Sequence, residues 1–493
     1  MTKRRTQRTK LILVLILLVA FLLRLTALGA EDIWIDEAYS AAESQHGIAR
    51  IWNSNDPTPP LYYVFLYFWM GLFGSSVFML RLLSVFFGTL LVLAGYALAR
   101  HHYDEKTGLL AAALLACSPG LIAASQNARS YALFFLLATL STYMYVRWKE
   151  RDAAGTRGWY ILTSTAMLYT HPFGVFVLLA QNLHFFTVIA HSEKKEAKKE
   201  AKRQEPKQGI AGWAGIQAAI FLLFVPWLLR LPGIIQTGTL GWLPRPTLAY
   251  GITTTLTLIE GTIYSRIGAV TGVLVLGLLV LLLSQRSTDE KKGNADGLLL
   301  WYWLLASYLV PFILALIFIP VFTTRYVLIA AIPLLILASR AIITQKKTAR
   351  NVLAVMLVTS LLLMSLFPLQ STMNPRWSEA AKVLEERRAA DEPLIVLPAY
   401  EVLSLSYYLL PACFQATDRE RCYQKKGLVA LHSPEQARQL EGRDYWLVRT
   451  SGLTSQNIGL LMDTLQERYD IDSVRAHQSG QPTYAASSFL LGP

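Results

Sequence analysis

The sequence predicts a polytopic α-helical membrane protein that ends in a small α/β domain outside the membrane. Three observations carry that prediction. The 493-residue chain is 53% hydrophobic and only 16% charged, with a mean hydropathy of +0.37, where soluble domains carry about 25% charged residues. Apolar runs of membrane-crossing length recur through the first three quarters of the chain. From Ser371 that character is lost: residues 371–493 hold 13 Lys/Arg and 15 Asp/Glu and no run long enough to span.

Taken in order, the apolar runs predict about eleven spans, over 11–29, 77–99, 107–124, 130–147, 158–170, 173–190, 211–231, 267–284, 297–319, 324–343 and 351–369. The fifth is short and ends at "YTHPFG", as a broken span would. The first follows a basic start and ends in "ALG", a pattern that resembles a cleavable signal peptide. Its apolar run is longer than a signal core, which favours an uncleaved helix. "LYYVFLYFWMGLFG" (Leu61–Gly74) is crowded with Tyr, Phe and Trp and reads as a helix lying at the outer interface.

Lys and Arg set the orientation. With the N-terminus inside, segments 1–10, 100–106, 147–157, 191–209, 285–296 and 340–350 hold 25 Lys/Arg. The opposite loops, 30–76, 125–130, 171–172, 230–266 and 320–325, hold 6. The bias predicts an N-in, C-out protein of the cell inner or plasma membrane. It also absorbs much of the formal charge of +13, which would otherwise suggest nucleic acid. In the most basic run, "EKKEAKKEAKRQEPK" (Glu193–Lys207), acids alternate with bases and aromatics are missing. It reads as a solvated connector, so no nucleic-acid partner is expected.

Two domains are therefore expected: a membrane domain, 1–370, whose first outer loop is 30–76, and an outer domain, 371–493. In the latter, "RWSEAAKVLEERRAA" has helical spacing and "EPLIVLP" and "DYWLVRT" read as buried strands. "TSQNIGLLMDTLQERY" reads as a further helix. The alternation is that of a small α/β domain, and it contains no GxGxxG, so nucleotide binding is not indicated. Of three cysteines, Cys413 and Cys422 fall here, on the oxidising side, either as a disulfide closing a short loop or as free thiols. No CxxC or zinc-type spacing occurs.

Chemistry has few places to sit. The first outer loop carries one base and several acids. Within "EDIWIDEAYSA", Asp36 and Glu37 lie between Trp34 and Tyr39, where partial desolvation raises a carboxylate's basicity, as a general base requires. The plainer alternative is a helix-start acid pair facing water; Glu31 and Asp32 read as solvated loop charges. Arg129 ("SQNARSYAL") and Arg325 ("FTTRYVL") stand at outer span ends, where a charge is costly without a partner. Guanidinium grips phosphate through paired hydrogen bonds, so a phosphate is a natural partner, with a lipid headgroup or a loop acid as the alternative. Arg81 reads as such a contact, and Arg24 as a snorkelling or interhelical residue. Asp56, His171 and Glu260 are candidates for acceptor or metal binding, although no spacing singles out a divalent ion and each also reads as a structural residue.

The ordered motifs resemble a known family. "DEAYSA", "DPTPPLYYVFLYFWMGLFGSSVFMLRLLSVFFGTL", "ASQNARSYALFFLLATLS", "YTHPFGVFVLLAQN" and "TTRYVLIAAIPLLILASRAI" are similar in kind and order to the protein-mannosyltransferase-like (glycosyltransferase family 39 type) branch of the GT-C membrane glycosyltransferases, over about residues 10–370. The resemblance implies inverting transfer of a sugar from a polyprenyl-monophosphate donor to an extracytoplasmic protein, glycolipid or wall glycan. It implies Asp36 as the base, Glu37 as its neighbour, and Arg325 with Arg129 as the clamp on the donor phosphate. Two departures stand out. "DPTPP" offsets Asp56 from the acid or His that many relatives place before "PPLYY". "QNAR" puts Asn127 where many have an acid, which leaves metal dependence open. Two other classes compete. A transporter or lipid flippase with an outer accessory domain predicts mid-membrane ionisable residues and half-repeats; neither is visible. A receptor or scaffold predicts indifference to the loss of Asp36.

Overall fold

The computed structural model describes residues 2–196, 209–236, 245–251, 253–254, 295–318, 320–366, 375–389, 392–440, 445–450, 460–465, 470–472 and 486–492. Glu260, most of the 232–266 loop and the apolar run 267–284 lie outside the described residues.

Every other expected span falls on helix. In chain order these are α1 (Thr2–Leu25), α5 (Val77–His102), α6 (Glu105–Cys117) with α7 (Pro119–Ser125), α8 (Tyr131–Glu150), α9 (Ala154–Leu168), α10 (Gly174–Glu196) and α11 (Ile210–Leu228). After the short α12 (Leu231–Gln236) come α13 (Leu299–Ile317), α14 (Thr324–Ile343, with a 3-10 turn at Leu328–Ala330) and α15 (Lys347–Leu366). Between α1 and α5 lie α2 (Ile35–Glu43), α3 (Ile48–Asn53) and α4 (Leu61–Phe73). Among the described residues α5, α11, α13, α14 and α15 are each long and apolar enough to cross a membrane. This is a membrane protein, and its spans differ in surroundings: the apolar window of α14 is 83% buried within the protein, that of α15 only 17%. An apolar helix packed on all sides is interior, and one left bare presents itself to lipid.

The run 107–124, expected as one straight span, is broken. α6 and α7 meet at 62° because Ser118 is extended and Pro119 takes the first position of α7. A break leaves carbonyls at the end of α6 without intrahelical partners. Arg24, wholly buried on α1, donates to Leu115 O (3.2 Å), Ala116 O (3.1 Å) and Ser125 Oγ (3.2 Å). In return Gln126 Nε2 donates to Thr26 O (2.8 Å) and Arg24 O (3.2 Å) at the end of α1. Arg24 is thus the interhelical residue, not a snorkelling one.

The contacts divide the chain into two compact units. The first holds Met1–Thr26, Asn53–Phe65 and Arg81–Pro368; the second holds Ala27–Trp52, Leu66–Leu80 and Leu369–Pro493. In the second, α16 (Trp377–Arg387) and α17 (Val402–Leu409) accompany a five-stranded sheet of β1 (Leu394–Leu397), β2 (Leu428–Ala430), β3 (Tyr445–Thr450), β4 (Asp470–Asp472) and β5 (Ala486–Gly492), in the order β2-β1-β3-β5-β4. β1 runs parallel to β2 and β3, while β5 is antiparallel to β3 and β4. "LIVL" is buried at every position of β1, as a strand covered on both faces requires. Trp377, Leu384 and Leu405 pack over one face of the sheet with Val396 and Val448. Ile395, Leu397 and Leu447 face the other way, against Leu461 and Leu465. Cys413 and Cys422 are joined, with their Cα atoms 5.4 Å apart.

Candidate functional site

In the first unit, four of the segments singled out by sequence come together. "DPTPPLYY" leads into α4, and Leu61 N–H donates to Tyr169 O (3.0 Å), which fixes it against the "YTHPFG" turn between α9 and α10. Asp56, 7% exposed, accepts from Thr58 N–H through Oδ1 (2.8 Å) and from the Tyr63 hydroxyl through Oδ2. Tyr63 in turn accepts from Arg129 Nη1 (3.2 Å), so the Arg129 guanidinium is linked to the Asp56 carboxylate through a phenol. Ser84 Oγ, bonded to Tyr62 OH (3.0 Å), reaches Arg129 O (3.5 Å) and secures the backbone of the same residue. Arg230 Nη2 donates to Ser54 O (3.1 Å) and ties the entry to "DPTPP" to the end of α11.

His171 sits beside this chain in an aromatic box. Its ring stacks on Phe134 at 4.9 Å and meets Tyr326 at 5.2 Å, Phe173 at 5.4 Å and Tyr131 at 5.9 Å. Nδ1 accepts from Phe173 N–H (3.2 Å). Burial, and secondarily the Arg129 charge, push its pKa down to about 3. His171 is therefore a neutral imidazole at physiological pH, and the Nδ1 hydrogen bond assigns its proton to Nε2. It offers one N–H donor and adds no charge to that of Arg129. Tyr326 brings the fourth segment, "TTRYVL", to the same place; Arg325 beside it is solvent-exposed at the start of α14. Asn127 buries its Oδ1 without a hydrogen-bond partner among the described residues.

Of the proposed acceptor or metal residues, Asp56 already has both oxygens engaged and His171 lies in its ring box. Among the described residues no three His, Cys, Asp or Glu side chains are grouped to hold a metal ion; Glu260 lies outside them.

Asp36 and Glu37 belong to the second unit. They occupy the first turn of α2, where the Trp34 backbone is extended and no side chain caps the helix. Carboxylates there compensate the exposed N–H groups and the helix dipole. They do not face water as a plain helix-start pair would: Glu37 is 1% exposed and Asp36 half-buried. The residues around α2 hold it from several sides. Ser378 N–H donates to Asp32 Oδ2 (2.7 Å) and Ile33 N–H to the Tyr408 hydroxyl (2.9 Å). Arg419 Nη2 reaches Glu43 Oε1 (3.5 Å) at the far end. Asp32, expected as a solvated loop charge, is instead a tether, because the free N–H groups at the start of α16 need an acceptor. Arg81, read as a headgroup contact or a partner of a loop acid, is 4% exposed.

Sequence reasoning missed Tyr63, Tyr326, Tyr408 and Glu401. The first two lay inside quoted motifs as ordinary interfacial aromatics. The other two lie in "AYEVLSLSYYLL", whose composition marks only an amphipathic helix.

Residues 57–203 match the family model described as dolichyl-phosphate-mannose-protein mannosyltransferase. No protein of curated function matches the chain by sequence. The fold is similar to that of ArnT from Cupriavidus metallidurans in the apo state, with a TM-score of 0.62, 13% identity and 97% of each chain covered. It is likewise similar to ArnT bound to undecaprenyl phosphate, with a TM-score of 0.61, 12% identity and the same coverage. The archaeal oligosaccharyltransferase AglB from Archaeoglobus fulgidus, in complex with an inhibitory peptide and a dolichol-phosphate, gives a TM-score of 0.53 at 11% identity, over 98% of this chain and 74% of AglB. The chain has the GT-C fold of these proteins.

Proposed function

We propose that this protein is an inverting glycosyltransferase that moves a sugar from a polyprenyl-monophosphate donor to an acceptor outside the cytoplasm. The observation that carries the reading is the convergence, in a chain of GT-C fold, of four ordered segments on Arg129 and its aromatic surroundings.

The chemistry follows from the groups. The Asp36 carboxylate takes the proton of the acceptor hydroxyl as its oxygen attacks the anomeric carbon. The bond from that carbon to the phosphate oxygen breaks, and the polyprenyl phosphate leaves with the electron pair. Attack opposite the leaving group inverts the anomeric centre. A phosphate leaving group needs no proton near neutral pH, but it needs positive charge. Arg325, exposed, meets the incoming donor, and Arg129, held by Tyr63 and the Ser84 hydroxyl, supplies a fixed guanidinium. Glu37 is the neighbour that orients Asp36 or the acceptor. The acceptor class, a protein hydroxyl, glycolipid or wall glycan, belongs to the same reading, as does a position on the extracytoplasmic face.

The test is a glycolipid and glycoprotein profile of a deletion strain, with and without the restored gene. Loss of one sugar-bearing species, regained on restoration, supports transfer. An unchanged profile in both contradicts it and favours transport.

A further inference from the structure

α2 has nine residues, and an isolated helix of that length is not stable in water. What holds it is supplied within the second unit by the C-terminal part of the chain: Ser378, Tyr408 and Arg419 grip its flanks, and α17 packs along it. Glu401 closes the 3-10 turn Ala399–Glu401 that runs straight into α17. Its side chain is buried, 5% exposed, and Ser404 Oγ donates to Glu401 Oε2 (2.8 Å). A hydroxyl is weak compensation for a buried charge. The ionisable group that acts on it from α2 is Asp36; from its own segment it is Tyr400.

We infer that Glu401 is a positioning residue for Asp36: the C-terminal part of the chain seats the helix that carries the base and sets a buried carboxyl beside it. The inference rests on Asp36 as the base. A buried carboxyl with only a hydroxyl to compensate its charge keeps its proton to higher pH than an exposed one. Burial pushes the Glu401 carboxyl up to about 7, with the Ser404 hydroxyl opposing and Asp36 adding to the rise. While Glu401 is neutral, it adds no like charge where α17 meets the helix that carries the base. Once Glu401 ionises, two like charges oppose each other across α2 and α17, and the seat of α2 is loosened. Transfer should therefore fall as pH rises through about 7.

The experiment uses membranes of the deletion strain carrying the full-length chain, with their own donor and acceptor, and follows the sugar product by mass spectrometry between pH 5.5 and 8.5. For the native chain, titration of one group near 7 gives a rate about tenfold higher at pH 6 than at pH 8. Glu401→Gln, which mimics the neutral acid, should lower the rate modestly at pH 6 and bring the pH 6 to pH 8 ratio close to one. Glu401→Ala should lower the rate about tenfold or more at both. A Glu401→Gln profile with the native inflection overturns the inference, as does a native profile flat through pH 7. Asp36→Asn runs in parallel: if it abolishes product while the Glu401 variants behave as native, Glu401 alone is wrongly assigned. If Asp36→Asn leaves product intact, the base assignment fails and takes this inference with it.

Discussion

Arg129 and Arg325 carry the same charge and differ in what surrounds them. Arg129 is bonded to Tyr63 and through it to Asp56; Arg325 is solvent-exposed. Arg129→Ala should lower both transfer and thermal stability, since it removes a hydrogen bond to a charged group worth roughly 1.5–3 kcal/mol. Arg325→Ala should raise KM for the donor about tenfold or more, which a donor titration checks. Glu401 gives a second stability prediction. Its folded pKa, about 7, lies above its ordinary value of 4.5, so the folded state holds more protons between those values. Stability is then greatest below about pH 4.5 and falls as pH rises through 7. Glu401→Gln should raise the melting temperature at pH 8 and not at pH 5. His171 has the opposite sign: its folded pKa of about 3 lies below 6.5, so stability is full above pH 6.5 and falls as pH drops toward 3. The arginines and the acid pair stand out in sequence as candidates because charges at the edge of an apolar run are costly and conspicuous. Tyr63 and Glu401 do not, because a tyrosine in an aromatic belt and a glutamate at the start of an amphipathic helix are ordinary; only the partner gives them a role.

At the scale of elements, hydropathy placed the apolar helices because twenty apolar residues in a row have few other uses. It did not show the break at Ser118–Pro119, since a bent pair of apolar helices has the same hydropathy as a straight one. The break holds together through Arg24. Arg24→Met should destabilise the membrane unit by about 2–3 kcal/mol, as buried carbonyls of Leu115 and Ala116 lose their donor. Close packing at the same point depends on Gly88, where an added Cβ would come within 2.0 Å of Ser125 Oγ and 3.0 Å of Arg24 Nε. In the C-terminal part, the helix at "RWSEAAKVLEE" and the strands at "LIVL" and "YWLVRT" were readable from local period. Their order in the sheet was not, because strand neighbours are chosen by long-range pairing. Sequence also left the state of Cys413 and Cys422 open. The disulfide closes a short loop, and Cys413→Ser with Cys422→Ser should cost about 2–3 kcal/mol of stability, measured by denaturant unfolding with and without reductant.

At the scale of the whole molecule, composition divides the chain at residue 370 into an apolar and a charged part. Contacts group it differently: the stretches 27–52 and 66–80 belong with the C-terminal residues. Linear reading has no access to this. The Ser378–Asp32 hydrogen bond joins residues 346 positions apart, and nothing in either local sequence names the other. The consequence for function is that the helix bearing Asp36 is seated by the C-terminal part of the chain. The central claim, that Asp36 is the base of a sugar transfer, is tested most directly by product formation in native membranes of the deletion strain, comparing the restored native chain with Asp36→Asn at equal protein level and matched melting temperature. Removal of a general base predicts a loss of about 100-fold or more with the protein still folded. Product formed by Asp36→Asn at the native rate would contradict the account.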